Sequence, residues 1–224
     1  MADPPRTRTP RTAARPRRRM PPQQRRDHLI TTALQLYSDR SPEDISVDDI
    51  VEAADVSRAL FYRYFANIQE LHVTALSRIV DDLVGQLTVP SSSDFRTDLR
   101  RALERFLAFT TTYAASYSAL LRTGSTIATG DPATLIDRVR NHVVDEFRSY
   151  LDLAELPGPL ERTLRAWVAA VESTVLSWLQ HRDITDEQLA TWLTDQLIAM
   201  LAVTAQHHPT TAHSLRGVLI DWTG

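Results

Sequence analysis

Residues 46–71 read SVDDIVEAADVSRALFYRYFANIQEL, and their order decides the fold. Ser46 with Asp49 at the third position is a helix-capping pair, and Ile45 and Ile50 have the spacing of a hydrophobic staple around it. The helix so started is predicted to run to about Ala54. Ser57 offers a second cap with Val56 and Phe61 as staple, so two short helices are joined by a turn of about three residues. That is helix-turn-helix spacing. Asn67 with Glu70 opens a further helix, whose apolar residues Leu71, Leu76, Ile79, Val80, Leu83 and Leu87 carry it to about Val89, before a linker over Pro90–Ser93.

Working outward, a first helix is expected from near Gln23, with Leu29, Ile30, Ala33, Leu36 and Tyr37 on one face, ending before Ser41 and Pro42. Ahead of it, Pro4, Pro5, Pro10, Pro16, Pro21 and Pro22 stand among arginines, threonines and alanines, a composition that builds no packed core. Downstream, apolar residues recur at spacings of three and four and predict helices near 95–114, 116–124, 132–151, 159–181 and 186–206. Asp131 followed by Pro132, and Thr185 with Gln188 between the staple residues Ile184 and Leu189, are the clearest starts. The tail beyond Pro209 is either a short helix around Ser214–Ile220 or frayed chain. The class is all-α.

Composition narrows the function. The 224 residues include only 6 glycines and no cysteine, which leaves no disulfide framework, thiolate metal site or cysteine nucleophile and suits a reducing cytoplasm. No run of about 18 apolar residues occurs, and no signal peptide is visible, so a cytoplasmic location without membrane contact is expected. No glycine-rich phosphate loop, Gly-x-Ser-x-Gly, His-Glu-x-x-His or Glu-x-x-His appears, and His207, His208 and His213 read as a surface cluster. Neither enzyme, cofactor nor metal is expected.

The net charge of −3 hides an asymmetry. Residues 1–26 hold nine arginines against Asp3 alone. From Asp27 to Phe65 three arginines face eight acids, and 3 − 8 = −5. The arm, with Arg17, Arg18, Arg19, Arg25 and Arg26 nearest the helices, is then either a solvated extension or a footprint lying along phosphates or in a minor groove; the neighbouring helix-turn-helix favours the footprint.

A recognition helix needs a polar start that can approach base edges. Ser57, Arg58 and Ala59 supply a hydroxyl, a two-pronged donor for guanine and a small side chain. Tyr62, one turn from Arg58, and Tyr64, near the helix end, are expected to reach phosphates. An ordinary three-helix unit with an aromatic core is the plainer alternative.

The order and spacing over roughly residues 25–76 resemble the DNA-binding segment of the TetR family of bacterial transcriptional regulators. Val47, Ile50, Ala54, Val56, Leu60, Phe61 and Phe65 fall where that family places core residues, and Ser46, Ser57, Tyr62 and Tyr64 fall at its phosphate-contact positions. Three positions depart from it. Asp55 replaces a glycine, which asks aspartate to adopt a left-handed conformation; Ile68 replaces a phosphate-touching lysine; Gln69 replaces an acid. Asp48 and Asp49 suit the helix dipole, yet sit near the expected path of phosphates.

The resemblance implies a division into an arm (1–22), a helix-turn-helix DNA-binding domain (23–70) and a ligand-binding and dimerisation domain (71–224). It implies a pocket for a small lipophilic or aromatic effector. Candidates among the clustered aromatic residues are Phe106, Phe109, Tyr113, Tyr117 and Trp167, with Arg122, His142 and Glu172 as polar residues among apolar neighbours; each is otherwise core, or a solvated or paired group. It also implies a homodimer through the last two long helices. Leu164, Val171, Val175 and Trp178, with Leu189, Leu193 and Leu197, form apolar stripes broader than one buried face requires, unless the pair is an ordinary core pair with two apolar faces. The expected function is a repressor that binds a pseudo-palindromic duplex operator as a homodimer and is released by its effector. The alternative is a DNA-binding activator, or a regulator governed by a protein partner.

Overall fold

The computed structural model describes residues 21–88, 94–122 and 132–219. Its N-terminal part holds α1 (Pro22–Leu36), a 3₁₀ turn over Pro42–Asp44, α2 (Val47–Ala53), α3 (Arg58–Tyr64) and α4 (Ile68–Leu87). The capping chemistry sets these boundaries. At α2 the Ser46 hydroxyl accepts from the Asp49 amide at 3.3 Å while the Asp49 carboxylate accepts from the Ser46 amide at 2.8 Å. At α3 Ser57 Oγ accepts from the Leu60 amide, and at α4 Asn67 Oδ1 accepts from the Glu70 amide, whose own carboxylate accepts from the Ala66 amide.

The α2–α3 turn is a Schellman closure: the Val56 amide donates to the Val51 carbonyl at 3.0 Å and the Asp55 amide to the Glu52 carbonyl at 3.2 Å. Its hinge residue Asp55 has φ 51°, the left-handed conformation expected from the missing glycine. Asp152 repeats this geometry at φ 51° where the next long helix pair begins. The head's core is Leu29, Ile30, Ala33 and Tyr37 of α1, Ile50 of α2, Phe61 and Phe65 around α3, and Leu71 and Ala75 of α4.

Beyond it lie α5 (Phe95–Thr112), α6 (Ala114–Arg122), α7 (Pro132–Tyr150), α8 (Gly158–His181) and α9 (Asp186–His207). The Thr185–Gln188 box starts α9 as its sequence predicts. Asp131 and the linker residues 89–93 lie outside the described residues. The tail forms two single turns, α10 (Pro209–Ala212) and α11 (Arg216–Leu219), anchored on α9 by buried Leu215 and Val218.

A second core joins α5, α7, α8 and α9, with Leu107, Leu160, Val175, Leu193 and Leu201 fully buried. Here the indole N–H of Trp167 donates to the Leu193 carbonyl at 3.0 Å, and that of Trp178 to the Ile184 carbonyl at 2.8 Å. Trp192 does not share this burial. It is 49% exposed. The helix α4 belongs to both halves, packing on α1 at one end and on α5 and α7 at the other.

Candidate functional site

The start of α3 stands open. Ser57, Arg58 and Ala59 are exposed, as is Ser46 one helix earlier, and Tyr62 keeps 53% of its surface free. Tyr64 differs: its ring is half-buried against the head's core, so only part of it faces outward. At the other edge the Arg26 guanidinium lies 4.9 Å over the Phe65 ring, and Arg25 is half-buried beside it. Arg17, Arg18 and Arg19 lie outside the described residues.

The charges on this face are not idle. Arg58 grips Asp48 with both prongs: Nε donates to Oδ1 at 2.5 Å and Nη2 donates to Oδ2. This guanidinium holds the Asp48 carboxyl below the usual carboxylate range. Asp49 is held low too, first by the Ser46 hydroxyl and amide and then by Arg40 at 2.9 Å. Two of the three arginines between residues 27 and 65 are therefore already paired with acids of the same face. The Asp48–Arg58 pair escapes sequence reading because the partners sit on different helices, ten residues apart.

Below α3 the head is tied to the rest by polar contacts. The Tyr37 hydroxyl meets Nδ1 of His72 at 2.6 Å, linking the end of α1 to α4. Burial pushes the His72 imidazole down to about 4, partly countered by a hydrogen bond to the Ile45 backbone. From α6, Ser116 Oγ donates to the Tyr37 carbonyl at 3.1 Å.

Ser116 also borders a cavity of about 220 Å³ lined by α4 to α9. Phe106, Phe109, Tyr113, Tyr117, Trp167, His142 and Glu172 all reach its wall. The side chain of Arg122 lies outside the described residues. Glu172 is spoken for: the Arg140 guanidinium donates to both its oxygens at 2.9 and 2.7 Å from outside the wall. His142 meets the Thr88 hydroxyl at 3.2 Å. The Tyr117 hydroxyl is buried with no hydrogen-bond partner among the described residues. Most of the remaining wall is apolar, and leucines and valines of α4, α5 and α7 are its commonest residues.

Leu164, Val171, Val175, Trp178, Leu189, Leu193 and Leu197 are all buried in the chain's own core, at most 6% exposed, so none offers a free surface to a second subunit. Their breadth of apolar pattern is used within the chain, against α5 and α7 as well as between α8 and α9. The exposed positions of this helix pair instead include Trp192 and Val203 of α9, 49% and 53% exposed, and Ala166, Ala169 and Ser173 of α8. Among the described residues no cluster of three or more His, Cys, Asp or Glu is placed to hold a metal, and no helix is long and apolar enough to cross a membrane.

Comparison with known proteins agrees with this geometry. Residues 29–73 match the family described as bacterial regulatory proteins, tetR family, and residues 95–200 match the tetracyclin repressor-like C-terminal domain. A TetR-family transcriptional regulator from Streptomyces coelicolor superposes with a TM-score of 0.86 at 36% identity, covering 90% of this chain and 91% of that one. The HTH-type transcriptional activator FasR of Mycolicibacterium smegmatis is 33% identical over 93 residues, 41% of this chain and 42% of that protein. The HTH-type transcriptional regulator EthR of Mycobacterium tuberculosis is 37% identical over 68 residues, 30% of this chain and 32% of that protein. The matches thus span less than half the length of these two curated relatives. With an open, capped recognition helix on a matching fold over nine-tenths of its length, the chain belongs to the TetR family and is a DNA-binding transcriptional regulator.

Proposed function

We propose that this regulator is a homodimeric repressor that leaves a pseudo-palindromic operator when a small lipophilic or aromatic effector enters the cavity. The observation that carries the reading is the double duty of α4, whose Leu76, Ile79, Val80 and Leu83 border the cavity while Leu71 and Ala75 sit in the head's core. An occupant that pushes α4 must move the head. Ser116 supplies a second link, being in the cavity wall and bonded to the end of α1. Coupling needs only that the effector bind the two arrangements of α4 differently, by about 1–3 kcal/mol in typical allosteric pairs.

In this reading Ser57, Arg58 and Ala59 read bases, Ser46, Tyr62 and Tyr64 contact phosphates, and the arginine arm adds affinity. The division at residues 22 and 70 separates arm, reading head and effector-binding part. The chain works in the cytoplasm and catalyses no reaction. Dimerisation is assigned to the exposed positions of α8 and α9, where Trp192 and Val203 offer large apolar side chains and Ala166, Ala169 and Ser173 are small enough to let a second helix pair approach. Sedimentation tests this: Trp192→Arg is expected to give a folded monomer, and a wild type that is monomeric at micromolar concentration contradicts it. The effector reading is tested by melting the protein with neutral lipophiles, since an occupant of the folded state raises Tm by mass action. A compound that raises Tm but leaves operator affinity unchanged argues against release. FasR is described as an activator, so activation is the second reading, and transcription from a promoter carrying the operator separates the two.

A further inference from the structure

The grip of Asp48 on Arg58 leaves part of the guanidinium open. Only its side-on edge is occupied, with Nε donating to Oδ1 at 2.5 Å and Nη2 to Oδ2. A guanidinium has five N–H donors, so both hydrogens of Nη1 and one of Nη2 remain, and these form the end-on fork that matches N7 and O6 of guanine. Among the described residues no hydrogen bond is made to Nη1 of Arg58. The side chains are 60% and 63% exposed, where an ion pair adds little to folding. Nor does the cap of α2 need Asp48, since Asp49 closes the box with Ser46 and takes Arg40 as well. What the pair changes is Arg58 itself. An arginine free in solvent must be ordered when it meets a base, and it is drawn to any phosphate alike; held by Asp48 it is ordered beforehand, in a unit without net charge. The α2–α3 turn keeps the partners in register, because the amides of Asp55 and Val56 are bonded back to Glu52 and Val51.

We infer that Asp48 is a positioning residue for base recognition: it holds Arg58 by the side-on edge, so that the end-on fork is kept for guanine and the guanidinium is withheld from phosphates. This rests on the reading of α3 as the base-reading helix, and adds to it a residue of α2 that acts through Arg58. It also gives a purpose to an acid standing near the expected path of the phosphates, since the charge of Asp48 is spent on Arg58.

The test is selection of bound sequences from random duplex with the full chain as wild type, Arg58→Ala, Asp48→Ala and the double variant. Asp48→Ala is expected to relax the same base pair as Arg58→Ala, with a loss of preference there of about three- to tenfold, while affinity for random duplex rises. In the Arg58→Ala background it is expected to cost no further preference, because it acts only through Arg58. Asp48→Asn, of the same shape without the charge, is expected to move preference in the same direction and takes the place of Asp48→Ala if that variant does not fold. An Asp48 variant that raises affinity for all sequences alike and leaves the motif unchanged overturns the inference, the pair then being a mask on Arg58 and nothing more. Relaxation at a different base pair, or an equal loss with and without Arg58, overturns it too, and assigns Asp48 a role of its own; in both cases the reading of α3 stands. A motif that Arg58→Ala leaves unchanged overturns the inference and the reading of α3 together.

Discussion

The buried contact between Tyr37 and His72 makes the head acid-sensitive. His72 is 4% exposed, and burial holds its folded pKa near 4 against 6.5 for an ordinary imidazole. Because the folded value is depressed, the unfolded chain binds the proton first as pH falls. Stability is therefore fully present above about pH 6.5 and is lost progressively toward pH 4. At about pH 5 the unfolded imidazole is almost wholly charged and the folded one almost wholly neutral, a difference of roughly 2 kcal/mol. For a chain of this length that lowers Tm by roughly 4–8 °C. The control is His72→Gln, which keeps a donor and an acceptor but cannot titrate. Melting both proteins by circular dichroism between about pH 7.5 and pH 5 should show a steeper fall for the wild type by that amount. Parallel curves would refute the premise that the folded ring is held neutral. Tyr37→Phe, which leaves the buried Nδ1 without its donor, should cost about 1–3 kcal/mol at neutral pH in the same assay.

Three further outcomes are expected. Asp55→Gly relieves a left-handed aspartate at φ 51°, and should stabilise the fold by about 0.5–1 kcal/mol in chemical denaturation. Asp48→Asn weakens the grip on Arg58, so affinity for random duplex should rise by about three- to tenfold in fluorescence anisotropy and the ratio of operator to random affinity should fall; an unchanged ratio would mean that the pair opens without consequence. Deleting residues 1–22 should weaken operator binding at least about tenfold at moderate salt and flatten the dependence of log affinity on log salt, because Arg40 and Arg58 are already neutralised within the head. Equal affinities and parallel slopes would make the arm a solvated extension.

Much of the fold was legible because its signals are local. Ser46 with Asp49, Ser57, Asn67 with Glu70, and Thr185 with Gln188 all close within four residues, and each cap forms as its spacing predicts. The left-handed turn at Asp55 was expected from the glycine that the resembled family carries there, not from a local signal. Contacts between helices were not. Asp48 with Arg58, Tyr37 with His72 and Arg140 with Glu172 depend on how helices pack, which periodicity leaves open. Glu172 stood out as polar among apolar neighbours and does border the cavity, but its commitment to Arg140, 32 residues away, had no signal in the sequence. The stripes on α8 and α9 misled about exposure for a related reason. A helix packed on two sides is apolar on both, so pattern alone cannot tell Leu193, fully buried, from Trp192, half open.

The account's central claim is that α3 reads duplex DNA and that the cavity governs the reading. Selection of bound sequences from random duplex, carried out with the wild type and with Arg58→Ala, tests it most directly. The account predicts a two-fold symmetric motif for the wild type, relaxed in the variant at one base pair of each half-site, a guanine, at about 1–3 kcal/mol per contact. It further predicts that a neutral lipophile that raises Tm, added to the wild-type selection, depletes that motif. A motif without two-fold symmetry, or one that Arg58→Ala leaves unchanged at every position, would contradict the placing of base recognition on α3 in a dimer; a motif indifferent to every lipophile that raises Tm would contradict control by the cavity.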